Sequence, residues 1–430
     1  MRNLPPRPRE NTNTAAGTVY DPGGARRWKL KRAAEGLLSD KENRIDRMGE
    51  PRPHFVYRVA MCHRGTDGGA PTIKRSPNRL HARFGGLQTC GSVWHCPICA
   101  PKVAAVRRDE MNEAIGAHVR SGGEVYFLTY TMQHDAERFG QGKLAAELKD
   151  LKAALSRLKG LRAFGCIKDE VDYLGTVRAF EVTYGEMNGW HGHTHELVFA
   201  GPGQLSALRR IRGLWARLLI KRGLAGLKPG DCGIELRRKL RALLTRCFTV
   251  QPGQYAAEYV SKFGREPESE RGAWGIGSEM TRAHLKRGHG AEDGTPQRCT
   301  HAGPWGLLND FYDGDARSGD LWREYAIALQ GTRQLYWSDG LKAHFFGIVE
   351  RDDEDIAAEP DARCTEHVVE VGPLSWARVL QHDARFDLLR VAAERGAEGV
   401  RAFLAELEHA PPTHSGHYIE GRGVYLRRVA

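Results

Sequence analysis

Residues 177–199, VRAFEVTYGEMNGWHGHTHELVF, decide the fold of this chain. The segments VRAFEVTYG and HTHELVFA are rich in β-branched and aromatic residues, which favour strands, and EMNGW between them carries turn residues. The stretch therefore predicts a β-hairpin. Because alternate side chains of a strand lie on one face, we expect His191, His193 and His195 to project together.

The hairpin brings a carboxylate close to these histidines. A turn centred near Asn188 puts His195 opposite Glu181, and paired side chains of antiparallel strands have Cβ atoms about 4.5–5.5 Å apart. Neutral imidazoles and a carboxylate can bind one divalent metal ion. The candidate ligands are His193, His195, Glu181 and His191. Glu186 competes with Glu181 if the register differs, and a polar strand face without a metal is the alternative.

A second motif follows at residues 254–262, QYAAEYVSK. On a helix, Tyr255, Tyr259 and Lys262 stand at positions i, i+4 and i+7 and therefore share one face. A phenol has a pKa of about 10 and needs a nearby cation to ionise, so a tyrosine beside a lysine and a metal suits attack on a phosphodiester. Two tyrosines that merely pack together are the alternative.

Four cysteines predict a zinc site. Cys96 and Cys99 have the spacing of a zinc knuckle, Cys90 precedes them in TCGSVWHCPICA, and Cys62 in AMCHRG is a candidate fourth ligand. Other candidates for the fourth ligand are His63, His81 and His95. Buried free thiols are the alternative to a metal.

The positive charge of the chain is concentrated in one region. The net charge is +11, and residues 203–248 hold twelve Lys and Arg against two acidic residues. Leu208 and Ile211 begin an apolar stripe at helical spacing, which leaves the other face basic. This pattern predicts a surface that neutralises phosphates, with a solvated helix face or a membrane-surface helix as alternatives. The candidate phosphate contacts are Arg209, Arg210, Arg212, Arg217, Lys221, Arg222, Arg237, Arg238 and Lys239.

Composition excludes several classes of protein. The 430 residues are 41% hydrophobic and 27% charged, close to the globular average, which argues against a fibrous or a wholly disordered chain. The sequence has no run of 18 apolar residues and its N-terminus has no apolar segment. We therefore expect a cytoplasmic protein with no membrane partner.

The motifs together resemble a known family. In order, GLQTCGSVWHCPICA, FLTYTMQH, EVTYGEMNGWHGHTHELVF and YVSK are similar to the rolling-circle replication initiators (Rep proteins) of bacterial plasmids, members of the HUH endonuclease superfamily. The resemblance extends to LLNDFYDGDARSGDLWREY and so covers most of the chain. Two positions depart from the family pattern. Thr194 separates the paired histidines where a bulky apolar residue is usual, and Tyr255 stands where one branch has a glutamate.

The resemblance implies an α+β fold with an antiparallel five-stranded HUH sheet flanked by helices, and the residue patterns add an N-terminal zinc-binding module and a mainly helical C-terminal region. Composition and motifs along the chain predict a flexible basic segment at 1–52, a cysteine-rich module at 53–110, an HUH endonuclease domain at 111–263, a linker at 264–304 and a C-terminal region of unknown role at 305–430.

The resemblance also implies the chemistry of the site. His193 and His195 match the family's metal-binding pair, and Tyr259, followed by Lys262, matches the nucleophile that forms a 5′-phosphotyrosine. The implied cofactors are Mg²⁺ or Mn²⁺ with a structural Zn²⁺. The implied partners are origin DNA, single-stranded or in a hairpin at the nick, and a host helicase and polymerase.

Two other functions fit the same residues. A two-tyrosine HUH transposase would use Tyr255 together with Tyr259. A non-catalytic, zinc-containing DNA-binding regulator would use the histidines only for structure.

Overall fold

The protein's computed structural model describes residues 22–39, 57–133, 138, 140–186, 188–252, 303–345 and 348–410. The chain divides into two compact units. The small unit consists of Met1–Arg26, Thr66–Leu87 and Pro360–Gly416. The large unit consists of Arg27–Gly65, Gln88–Glu359 and His417–Ala430. The stretch 53–110, predicted as one module, therefore contributes residues to both units.

The strands are β1 (Thr72–Arg75), β2 (Ala82–Gly85), β3 (Glu124–Thr131), β4 (Gly175–Gly185), β5 (Gly189–Ala200), β6 (Phe248–Gln251), β7 (Leu335–Trp337) and β8 (Glu366–Glu370). The helices are α1 (Pro22–Ser39), α2 (Arg58–Met61), α3 (Cys99–Arg120), α4 (Leu144–Lys159), α5 (Arg162–Glu170), α6 (Leu205–Arg209), α7 (Ile211–Lys221), α8 (Gly233–Arg246), α9 (Pro304–Tyr312), α10 (Ala316–Ala328), α11 (Leu341–His344), α12 (Asp353–Ala358), α13 (Pro373–Gln381) and α14 (Arg385–His409).

The predicted hairpin is formed by β4 and β5 and lies inside a larger sheet. Among the described residues, this large sheet has five strands in the order β6-β3-β5-β4-β7, and all its neighbours are antiparallel. The predicted α+β class with an antiparallel five-stranded sheet is confirmed. The region 305–430, predicted to be mainly helical, also contributes β7, where LYW pairs with β4 as an edge strand.

Alternation along the strands gives the large sheet two different faces. We call the side that carries His191, His193 and His195 the histidine face, and the opposite side the rear face. One half of the histidine face is apolar and is covered by α3. The buried residues of this contact are Met111, Ala114, Ile115, Val125, Phe127, Val177, Ala179, Leu197 and Phe199. The other half carries the histidines.

The rear face packs against α4 and α7. Trp215 of α7 is fully buried, meets the ring of Tyr130 edge-on at 5.5 Å and donates its indole N–H to the backbone oxygen of Thr131. The predicted amphipathic helix is interrupted near Arg210, where α6 ends and α7 begins. Its apolar stripe is nevertheless buried as expected, including Leu208 and Ile211.

The small unit contains its own sheet, in the order β2-β1-β8, which is antiparallel throughout. Phe84 of β2 meets Trp376 of α13 edge-on at 5.3 Å, and Arg75 of β1 pairs with Glu366 of β8 at 2.9 Å. The C-terminal region is thus helical for most of its described length but also contributes β8.

Several sequence predictions fall outside the described residues. These are the tyrosine motif with Tyr255, Tyr259 and Lys262, nearly all of the linker at 264–304 and much of the N-terminal segment. Within that segment α1 forms where RRWKLKRAAEGLL predicts a short helix. None of the helices in the described residues is both long and apolar enough to cross a membrane.

Replacing Leu128 with alanine tests the rear-face core. Leu128 of β3 has 0% exposure, so Leu128→Ala should lower the free energy of unfolding by about 2–5 kcal/mol through lost burial and the cavity left behind. Leu244 of α8 is 45% exposed, and Leu244→Ala is the matched control, expected to stay within about 0.5 kcal/mol. Chemical denaturation followed by circular dichroism gives both values. Equal effects of the two changes would contradict this packing.

Candidate functional site

The turn between β4 and β5 sets the register of the hairpin. Glu181 pairs with His193, and His195 pairs with Ala179, so the predicted pairing of Glu181 with His195 is wrong by two residues. The reason is the turn. Gly189 has φ of +74° and pairs with Gly185, which moves the centre of the turn one residue before Asn188.

Glu181 contacts His195 in spite of this shift. Residues diagonal to each other on one face of an antiparallel pair remain within reach of long side chains. The Oε2 atom of Glu181 lies 2.8 Å from Nε2 of His195, and the two residues are 3% and 5% exposed. The structure therefore places a buried carboxylate against the innermost of the three histidines.

Strand β3 orients the histidine rings. Thr129 Oγ1 lies 3.0 Å from Nδ1 of His195, and Thr131 Oγ1 lies 3.0 Å from Nδ1 of His193. Phe127 stacks on His195 with ring centroids 5.1 Å apart. An imidazole that donates its Nδ1 proton to a hydroxyl keeps a lone pair on Nε2, which is the form that binds metals. The sequence analysis missed these threonines, although their alternation in FLTYT is visible.

The potential ligand atoms of the histidine face form two pairs. His193 Nε2 lies 3.1 Å from His191 Nδ1, while His195 Nε2 contacts Glu181. Adjacent ligands of an octahedral Mg²⁺ ion are about 3 Å apart, given metal–oxygen distances near 2.1 Å. The His195–Glu181 pair therefore fits two neighbouring positions around one ion. No three of these side chains gather their ligand atoms within 4.8 Å of one another in the described part of the chain.

A second carboxylate lies beside the motif. Glu147 of α4 accepts a hydrogen bond of 2.6 Å from the backbone N–H of Gly192, between His191 and His193. Burial raises the pKa of Glu147 to about 7. A Cβ atom on residue 192 would lie 3.2 Å from Oε1 of Glu147, so glycine suits this close approach. No local sequence signal predicts this contact, because it depends on how α4 packs on the sheet.

The four predicted cysteine ligands come together. The ligand atoms of Cys62, Cys90, Cys96 and Cys99 lie within 4.8 Å of one another, and all four residues are buried. The Sγ atom of Cys62 is 3.7 Å from that of Cys96 and 3.5 Å from that of Cys99, and Cys90 Sγ is 3.8 Å from Cys99 Sγ. Zinc–sulfur bonds of about 2.3 Å in a tetrahedron give sulfur–sulfur distances of about 3.8 Å. The cluster therefore has the dimensions of a four-cysteine zinc site.

The alternative fourth ligands occupy other positions. His95 directs Nε2 to the backbone oxygen of Ala326 at 2.9 Å and Nδ1 to Ser92 Oγ at 3.0 Å. His63 lies next to the cluster, with Nδ1 3.2 Å from the Cys62 sulfur, whereas His81 belongs to the small unit. Hydrogen bonding to the sulfur of Cys62 raises the pKa of Cys90 well above its usual value. A bound cation would favour the thiolate form of all four.

The basic residues predicted to contact phosphates lie on α6, α7 and α8 or directly next to the ends of these helices. Arg209, Arg217, Lys221, Arg222 and Arg237 are exposed, as are Arg210 and Arg238, while Arg212 and Lys239 are half-buried. Some of the charge is balanced nearby: Arg210 pairs with Glu170 at 2.8 Å, Arg238 with Glu235 at 2.8 Å and Lys239 with Asp231 at 2.5 Å. Glu186, the competitor for Glu181, is exposed in the turn.

Comparison with known proteins identifies similar chains. No family model and no solved structure matches this chain. It is 27% identical over 375 residues to Protein rep of Streptomyces lividans, an alignment that covers 73% of this chain and 76% of that protein. It is also 30% identical over 144 residues to a Streptomyces cyanogenus protein named neomycin resistance protein, of which it spans only 31%. The predicted likeness to Rep proteins is thereby confirmed, since the chain is similar to Protein rep over most of its length.

Proposed function

We propose that this protein is a DNA endonuclease that starts rolling-circle replication by nicking and rejoining one strand at an origin. The observation that carries the proposal is the histidine face, where His193 and His195 stand beside the buried carboxylate of Glu181 in a Rep-like chain. A Rep protein must expose a 3′ hydroxyl to prime synthesis, and strand transfer to a tyrosine achieves this without loss of the phosphodiester bond energy.

The reaction assigns each residue of the tyrosine motif a role. The phenolate oxygen of Tyr259 attacks the scissile phosphorus, which forms a 5′-phosphotyrosine as the bond to the 3′ oxygen breaks. The released 3′ oxygen takes a proton and becomes the priming hydroxyl. Lys262 neutralises the phenolate or the phosphate. After one round, Tyr255 or an activated water resolves the covalent intermediate.

The histidine face provides the metal site of this proposal. His193, His195 and Glu181 would hold one Mg²⁺ or Mn²⁺ ion, with His191 next to them. Such an ion would supply positive charge to polarise the scissile phosphate and stabilise its developing charge. Thr129 and Thr131 contact the two ligand histidines at their Nδ1 atoms and so orient the rings, which leaves Nε2 as the atom of each ring that would bind the ion.

The number of residues between β6 and Tyr259 is sufficient for the tyrosine to reach the metal site. Strand β6 pairs with β3, which pairs with β5, so β6 lies about 10 Å from the histidine strand. Tyr259 follows Gln251, the last residue of β6, by eight positions. Four extended residues to Tyr255 can span about 13–14 Å, and four residues on the predicted helix add about 6 Å. The motif is thus within reach of His193 and His195.

The remaining features complete the proposal. Exposed cations of α6 to α8 bind the DNA backbone without reading its sequence. The cleaved strand is single-stranded or lies in a hairpin, because it must reach the metal unpaired. The four-cysteine cluster binds a structural Zn²⁺ ion. A host helicase and polymerase would extend the released 3′ end.

Removal of the histidine ligands should abolish nicking. His193→Ala/His195→Ala deletes two metal ligands, so cleavage of a labelled origin strand in Mn²⁺ should be lost while binding of duplex origin DNA, measured by gel shift, is retained. His367→Ala replaces an exposed histidine of β8 and serves as the control, with cleavage expected to be normal. Full cleavage by the double variant would rule out the metal site.

Covalent trapping tests the nucleophile. The protein, Mn²⁺ and labelled single-stranded origin DNA should give a slow band on a denaturing gel, and Tyr259→Phe should lose that band because it lacks the attacking oxygen. Tyr255→Phe should still form the band but terminate poorly. A band that persists in Tyr259→Phe would assign the attack elsewhere. If the protein bound the DNA but gave no covalent band, a non-catalytic regulator would be favoured.

Zinc analysis tests the cysteine cluster. The purified protein should contain about one zinc ion per chain, and Cys96→Ser/Cys99→Ser should lose it because two thiolate ligands are absent. The matched control is Cys166→Ser/Cys232→Ser, which changes two exposed cysteines. Elemental analysis by mass spectrometry gives the metal content. An unchanged zinc content in the first variant would refute the site.

A further inference from the structure

The rear face of the large sheet contains a groove at its β7 edge. The groove has a volume of about 670 Å³ and lies between α4 and β7, above the rear side of β4. Its lining includes Lys152, Arg178, Phe180, Arg333 and Tyr336. None of these residues belongs to the histidine face, because Arg178 and Phe180 alternate with Ala179 and Glu181 along β4.

Cations and aromatic rings are interleaved in this groove. The guanidinium carbon of Arg178 lies 4.8 Å from the ring centroid of Tyr336 and 5.8 Å from that of Phe180. Lys152 Nζ lies 5.3 Å from the Phe180 centroid. These contacts hold the side chains in place without neutralising them.

The groove retains positive charge. Lys159 is paired with the buried carboxylate of Glu196 and contributes little. The groove lining carries Lys152, Arg178 and Arg333 and, among the described residues, the carboxylate of Asp339, while Glu196 pairs with Arg178 across β4 and β5, so cations still outnumber carboxylates. The groove therefore offers positive charge to an anionic ligand.

We propose that this groove binds a short stretch of single-stranded DNA. Phosphates match Lys152, Arg178 and Arg333, and unpaired bases match the partly exposed ring of Tyr336, which is 39% exposed. In a duplex the base faces are covered by neighbouring pairs, so the aromatic component favours an unpaired strand. The ligand identity rests on the proposed function, since a strand-nicking enzyme must handle a single-stranded segment of its DNA.

Fluorescence anisotropy of the full chain with a labelled twelve-nucleotide oligo(dT), without added divalent metal, tests the groove. Arg178→Met keeps the aliphatic stem but removes the charge, and Tyr336→Ala removes an exposed ring with little risk to folding. Each change should raise the Kd about tenfold, an effect of the size that the loss of one base-stacking contact produces. The matched control, Arg157→Met, changes an exposed cation of α4 outside the groove and should leave the Kd unchanged.

Several outcomes would overturn the proposal. These are an unchanged Kd in both groove variants, an equal loss in Arg157→Met, and equal competition by dTTP or by polyglutamate, which would indicate a free-nucleotide or general anion site. Because the assay requires neither metal nor cleavage, its result is independent of the nicking experiments. If the protein did not nick DNA, reduced oligo(dT) binding by the groove variants would still support the groove. If the groove variants bound oligo(dT) normally, the nicking experiments would be unaffected.

Discussion

The antiparallel pairing of β4 with β5 is the interaction on which the rest of the large unit depends. It runs without a break from the pair Gly175–Phe199 to the turn at Gly189, and it fixes which residues lie on each face. Its register brings Glu181 into contact with His195 on one side, and on the other side the pairing of β4 with β7 places Arg178 beside Tyr336. Strand β3 then adds the threonines that orient the histidines.

The cysteine cluster is connected to this sheet through helices of the same unit. Cys99 is the first residue of α3, whose apolar side covers half of the histidine face. On the other side of the cluster, Trp94 donates its indole N–H to the backbone oxygen of Thr332 at 2.6 Å, and His95 contacts Ala326 of α10. A metal bound by the cysteines would therefore stabilise the start of α3 and, through it, the packing of the sheet.

The sequence predicted the elements that have strong local signals. Alternation in HGHTHELVF predicts the histidine face, and the cysteine spacings predict the four residues that meet in space. The predicted register of β4 and β5 was wrong by two residues, because the positive φ of Gly189 shifts the turn and a shifted turn changes every pair of the hairpin. The contact between Glu147 and Gly192 and the rear groove could not be predicted, because each depends on how separate elements pack. Strand β7 is too short, at three residues, to give a periodic signal.

Alternation in β4 has a consequence for how this protein can evolve. Odd-numbered residues such as Glu181 serve the histidine face, and even-numbered residues such as Arg178 serve the rear groove. An insertion or deletion of one residue within β4 would exchange the two sets beyond that point and damage both surfaces at once. Only length changes in steps of two keep every residue of this strand on its own face, whereas point substitutions can alter either surface independently.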